Sequence, residues 1–404
     1  MKKESIALIL ACAAAAATVV SIAAFEILLG AALIAVIATG QWRWPPITLP
    51  LCLWFALTIA SAAASGHFDT ALPQLKKFYV YLMLFVVYSA VRSVAAVRAT
   101  AAAWAAGGAL SAFWSFEQLA RKYHIALDKH QDFYTYYVAN RITGFMGHWM
   151  TFSGEMMVVL LLILALLFFS SDRGWKMWLG AAIVPIGGGL LAAYTRSMWL
   201  GAVVGGGYLI WMWRRWMILA IPVLIGLALL ANPFAIRERV VSITRPRAEL
   251  DSNEHRVVTR RIGVEIIKAH PLFGIGPEQI GKQYEAYVPA DIHRPLPDGF
   301  YGHLHNIYIH YAAERGVPAV LALLWAVGQA LFDLLRARRR LPRHAEQRWV
   351  LNGAIAVVIA VMLSGWYELN LGDSEVLGMF LAVIACGYAV IGPTEEDRAS
   401  TLIS

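Results

Sequence analysis

The chain has 404 residues, 59% hydrophobic and 15% charged, with a formal charge of +8. Uncharged stretches such as Met156–Phe169, Ile218–Leu230 and Ala354–Leu363 extend with their neighbours to the roughly 20 residues that cross a bilayer, which excludes an ordinary soluble domain. Much of the positive charge sits in short loops between apolar runs, where it sets topology, so nucleic acid is not an expected partner.

Backbone groups inside hydrocarbon must be satisfied within helices or a closed barrel. Long continuous apolar runs without period-two alternation select helices. The expected fold is an all-α polytopic membrane protein, a single integral-membrane domain over 1–404 with about 12 transmembrane helices. The segments lie near 5–20, 22–40, 47–64, 74–91, 96–118, 150–170, 175–192, 195–213, 215–232, 305–335, 348–368 and 373–391. The start, MKKESIALILACAAAAA, has the basic and small-residue pattern of a signal peptide, but the apolar run continues to Thr39, so a retained first helix is expected. No clear turn divides residues 5–40. Cys12, Cys52 and Cys386 lie in apolar runs without metal-ligand spacing or a disulfide framework.

With a cytoplasmic N-terminus, the inner loops hold Arg43; Arg92 and Arg98; Arg173 and Lys176; Arg214 and Arg215; and the run from Arg336 to Arg348. Every inner loop is then short and basic, as the positive-inside bias requires, and the C-terminus is cytoplasmic. Two outer segments are long: a smaller one over 121–149, and one over 232–304 between predicted helices 9 and 10. The second runs to about 70 residues, far beyond an ordinary connector. It mixes acidic and basic residues and is expected to be partly helical. Asp251 or Ser252 can cap a helix over Asn253–Ala269, which Pro271 ends.

Four groups of residues can carry chemistry. In HNIYIHYAAERGVPAV, His305 and Asn306 precede Gly316. On a continuous helix His305 and Gly316 share nearly one face. A histidine at the mouth of a helix bundle can be neutral near pH 7 and accept a proton; a polar cap in the headgroup zone is the competing reading. His303 and His310 lie nearby, and Glu314 is spaced to pair with His310. The outer arginines Arg141, Arg196, Arg256, Arg260 and Arg261 run against the topology bias. Guanidinium forks suit phosphate oxygens, although salt bridges to Asp251, Glu254 or Glu265 are open to the loop arginines. Arg256 and Arg260 share a helix face and Arg261 lies off it. Lys76 and Lys77 can attract phosphate or snorkel. HPLFGIGPEQ reads first as a structural turn, with Gly274 and Gly276 giving tight geometry and Pro271 and Pro277 stiffness. Tyr134, Tyr136, Tyr137 and Trp149 can stack on sugars or form an interfacial belt. Glu26 and Glu117 are isolated in apolar segments, and Asp298 is a carboxylate near the histidines.

His-Asn, nine residues, then Gly resembles the pattern of lipopolysaccharide O-antigen ligases, within the superfamily that includes O-antigen polymerases. TRSMWLG at 195–201, HPLFGIGPEQ at 270–279 and NRITGFMGH at 140–148 are similar to the family's other segments in kind and order. The resemblance spans roughly 70–390, with its specific motifs in 140–316. It implies a glycosyltransferase of the bacterial inner membrane with a periplasmic active site. The donor would be undecaprenyl diphosphate-linked glycan held in membrane lipid, and the acceptor a sugar hydroxyl of lipid A–core. On this account His305 is the general base and Arg196, Arg256, Arg260, Arg141 and Asn306 bind substrate. The anomeric centre inverts, and neither cofactor nor metal is needed, arginine standing in for a divalent ion. A polymerase, a protein O-oligosaccharyltransferase and a lipid-linked glycan transporter remain as alternatives; clustering of polar residues on one side favours an enzyme.

Overall fold

A computed structural model describes residues 3–171, 174–244 and 253–391. Arg173 and the expected caps Asp251 and Ser252 lie outside the described residues, as do Lys2 and the C-terminus. Among the described residues the fold is all-helical, with no strand.

Helices occur at each of the apolar segments, but several are broken. Ile22–Thr39, Trp149–Phe169, Val317–Arg340 and Gln347–Ser364 are individually long and apolar enough to cross a membrane. Arg215–Ala231 with Pro233–Val241 is a further candidate bent by 107°, and Thr48–Ala64, Lys176–Ala192 and Ser374–Ala389 are shorter apolar helices. Twelve full spans are therefore more than the helices alone establish. The first pair divides after Ala17: the Thr18 hydroxyl and Trp104 Nε1 both bond Ala15 O, and Ser21 caps the next helix. The segment over 121–149 is partly helical. Val94–Asp128 continues as one 35-residue helix past residue 121, because its last turns contain strong helix formers and a Glu117–Arg121 ion pair one turn apart. Glu117 is thus paired.

Trp149–Phe169, Gln347–Ser364 and Ser374–Ala389 form the core and are buried over most of their length. The helix Arg196–Trp213 crosses Gln347–Ser364 closely through Gly201 and Gly205. A Cβ at either would stand 2.9 Å from the carbonyl oxygen of Ala360 or Ala356, so the small residues permit backbone approach without side-chain volume.

The two ends of the bundle differ. One gathers Arg43 on Tyr88, and Arg98 and Ser171 on Glu346. The other gathers residues 133–149, 192–196, 234–244, 253–260, 299–306 and 364–373, joined by the contacts described next.

Candidate active site

The His-Asn–Gly spacing is the length of one short helix. Asn306 caps Ile307–Arg315, its Oδ1 accepting from Tyr308 N and Ile309 N at 2.9 Å each, while Nδ2 donates to Trp366 O at 2.9 Å. Gly316 ends that helix and opens Val317–Arg340. The expected continuous helix over 305–335 is therefore two, and the shared-face argument does not hold. Gly316 has φ 85 and ψ 161, a region open essentially to glycine alone, and a Cβ there would lie 2.0 Å from Leu272 O. The HPLFGIGPEQ segment is the structural turn that makes this close pass: Val317 N donates to Pro271 O, Ile275 N to Ala313 O and Gly276 N to Glu314 O, at 2.9–3.0 Å.

His305, just before the cap at φ 48, turns its ring into the polar end. Its Nδ1 lies 3.4 Å from Glu368 Oε2, with both side chains largely buried at 15% and 10% exposure. That is longer than a typical N–H···O bond, a separation found where groups tighten only around substrate. The other Glu368 oxygen receives Arg256 Nη2 at 2.6 Å. Burial alone would raise the Glu368 carboxyl; Arg256 and His305 outweigh it and hold it well below the usual carboxylate range. An ionised Glu368 accepts the Nδ1 proton of a neutral His305 and leaves Nε2 as a lone pair, the tautomer a general base needs. The carboxylate beside the histidines is thus Glu368 rather than Asp298.

Two more imidazoles pack edge-on against His305: His303 at 4.1 Å and His255 at 5.5 Å between ring centres. Burial first, then the neighbouring His305 imidazole, pushes His303 down to about 3 and His255 down to about 4. Both stay uncharged at neutral pH. His310 pairs with Glu314 at 3.4 Å in a buried contact on the far face of its helix.

The helix over Asn253–Ala269 forms as expected, and Arg256 and Arg260 reach one segment, 366–368. Arg256 Nη1 donates to Tyr367 O at 2.9 Å; Arg260 Nη2 donates to Trp366 O at 3.1 Å and its guanidinium covers the Tyr367 ring. Arg261 points away to Asp291 at 2.7 Å. Arg196 bonds Ser242 Oγ at 3.0 Å and Asn253 Oδ1 at 2.7 Å, holding together the two sides of the loop. Arg141 donates from Nε to Val138 O and lies 4.9 Å over Trp149. Burial, then the neighbouring charges of Arg239, Arg256 and Arg196, push Arg141 down to about 9, with Glu368 opposing. Lys77 donates to Gly372 O, so it buttresses the 370s. Tyr134 and Tyr137 are buried, and Tyr137 Oη bonds Ala192 O, so these two serve packing.

Sequence reading did not single out Glu368, Arg239 or His255. Arg239 is 3% exposed, bonds Tyr194 O and lies beside the Tyr194 ring. The signal available was the isolated acid in WYELN after a charge-free run. The charges of Arg239, Arg256 and Arg196 all act on Arg141, and Glu368 is the carboxylate that opposes them there. Such a field concentrates a multiply charged anion. Among the described residues no three His, Cys, Asp or Glu side chains are arranged to hold a metal ion.

Residues 181–324 match the family model for O-antigen ligase. Over that stretch the chain is similar to the O-antigen ligase family. The matched stretch holds Arg196, Arg239, Arg256, Arg260, His305 and Asn306, whereas Arg141 and Glu368 lie outside it. No curated protein matches the chain. The match is consistent with the O-antigen ligase/polymerase superfamily, and the helices long and apolar enough to cross a membrane accompany a polar cluster at one end of the bundle.

Proposed function

We propose that the protein is an O-antigen ligase that transfers glycan from undecaprenyl diphosphate to a sugar hydroxyl of lipid A–core at the outer face of the inner membrane. The observation that carries this reading is His305 paired with Glu368 beside a group of four guanidiniums. One half of that arrangement suits a base and the other a diphosphate.

In the reaction, Nε2 of His305 takes the acceptor hydroxyl proton as the hydroxyl oxygen bonds to the anomeric carbon. The carbon–oxygen bond to phosphate breaks on the opposite side, and its electron pair goes to the diphosphate, so the centre inverts. Glu368 holds His305 in the right tautomer and balances the imidazolium that forms. Arg141, supported by Arg196, Arg239, Arg256 and Arg260, stabilises the charge growing on the leaving group. Arg141 is best placed among these, since its Nη groups make no hydrogen bond among the described residues. Asn306 acts through the helix cap, which fixes the residue before it.

The test is purified protein in nanodiscs with undecaprenyl diphosphate-linked glycan and lipid A–core, without ATP and with excess chelator. Ligation shifts the lipid A–core band on a gel. Longer lipid-linked glycan with no shifted band would instead make it a polymerase, and loss of transfer in chelator would overturn the metal-free mechanism.

A further inference from the structure

We propose that His148 donates a hydrogen bond to the sugar adjoining the donor's diphosphate, so that it contributes to selection of the transferred glycan. The inference rests on the ligase reading above.

His148 caps Trp149–Phe169, and its Nδ1 accepts from Met150 N at 3.2 Å. A neutral ring bonded in this way carries its proton on Nε2. Nε2 has no hydrogen-bond partner among the described residues, and the side chain is exposed. The neighbouring Gly147 faces open space, with nothing within 4 Å of where a Cβ would stand. There is room for a ligand beside a donor already oriented by the helix cap.

The neighbours define the ligand's chemistry. The His148 ring lies on Trp149, with centres 4.1 Å apart, and the Arg141 guanidinium is 4.9 Å from the same indole. One aromatic side chain therefore contacts both a cation and a donor. Partial burial among its neighbours and the charge of Arg141 keep the His148 ring below its ordinary value, with Glu368 opposing, which favours the uncharged form. Charge-assisted hydrogen bonds are about twice as strong as neutral ones, so the phosphate belongs to Arg141. A neutral N–H suits an uncharged hydroxyl or amide oxygen. Beside a bound diphosphate, that oxygen belongs to the first sugar.

The experiment compares His148→Asn and His148→Gln with wild type in nanodiscs. Asn keeps an oxygen near Nδ1 to cap Met150 N but removes the distal donor; Gln places an amide N–H near Nε2. Two constants are measured: KM for the lipid-linked glycan, and inhibition by undecaprenyl diphosphate, which lacks the sugar. The expected result for His148→Asn is a donor KM raised about 3- to 10-fold with kcat and undecaprenyl diphosphate inhibition unchanged, partly restored in His148→Gln. An equal rise in both constants would place the contact on phosphate, and no change in either would leave the ring as a cap; each overturns the inference. Wild type that neither transfers glycan nor responds to undecaprenyl diphosphate would overturn the ligase reading and this inference with it.

Discussion

The carboxylate of Glu368 lies 3.4 Å from Nδ1 of His305, and its second oxygen lies 2.6 Å from Arg256. One acid thus couples the base to the arginine helix. Removing its charge leaves the imidazole without an orienting partner and Arg256 without a counter-ion.

Glu368→Gln is therefore expected to lower kcat by roughly 100- to 10,000-fold, the range of a general-base contribution. Arg256→Gln acts on the same unit, so the double variant should lose much less than the product of the single losses. A double-mutant cycle on the transfer rate measures this; strict additivity would contradict the coupling.

The Nη groups of Arg141 make no hydrogen bond among the described residues. A charge-assisted hydrogen bond contributes about 1.5–3 kcal/mol. Arg141→Gln should therefore weaken undecaprenyl diphosphate inhibition by roughly 10- to 150-fold. Arg141→Lys should recover only part of this, because an ammonium lacks the planar fork.

Acid should destabilise this end of the protein in two stages. His255 and His303 have folded values depressed to about 4 and about 3. Their contribution is complete above about pH 6.5, the unfolded value. It is lost as pH falls toward the folded values, because the unfolded chain takes up protons first. Glu368, also depressed, adds a loss that begins near its unfolded value of about 4.3 and continues below it. Melting curves from pH 7 to pH 4 should show a falling midpoint, with a shallower fall in His255→Gln. An equal slope in that variant would contradict the assignment.

Gly316→Ala places a Cβ 2.0 Å from Leu272 O at a backbone conformation suited to glycine. The conformation alone costs about 1–3 kcal/mol, and the overlap adds to it. Lower yield and a lower melting midpoint are expected, and an unchanged midpoint would show that the turn can move aside.

The sequence made the helical class and several helix bounds legible because apolar runs and breakers act locally. Asn253–Ala269 is an instance, ended at Pro271, with Arg256 and Arg260 on one face as spacing requires. The carboxylate partner of His305 was not legible. Glu368 is 63 residues away, across three helices, and only packing brings the two together. The His-Asn–Gly spacing was visible, but its meaning depended on Gly316 breaking the helix at positive φ. Arg239 was hidden in a charge run that reads as solvated surface, although Tyr194 buries it. The partners of Arg196, at Ser242 and Asn253, were likewise set by how the loop closes on itself.

The most direct measurement is glycan transfer to lipid A–core by His305→Ala beside wild type, with undecaprenyl diphosphate inhibition measured on both. The account predicts a rate lower by roughly 100- to 10,000-fold with inhibition retained, because the guanidinium group remains in place. Transfer at the wild-type rate by a folded His305→Ala variant would contradict the role of His305 as the base.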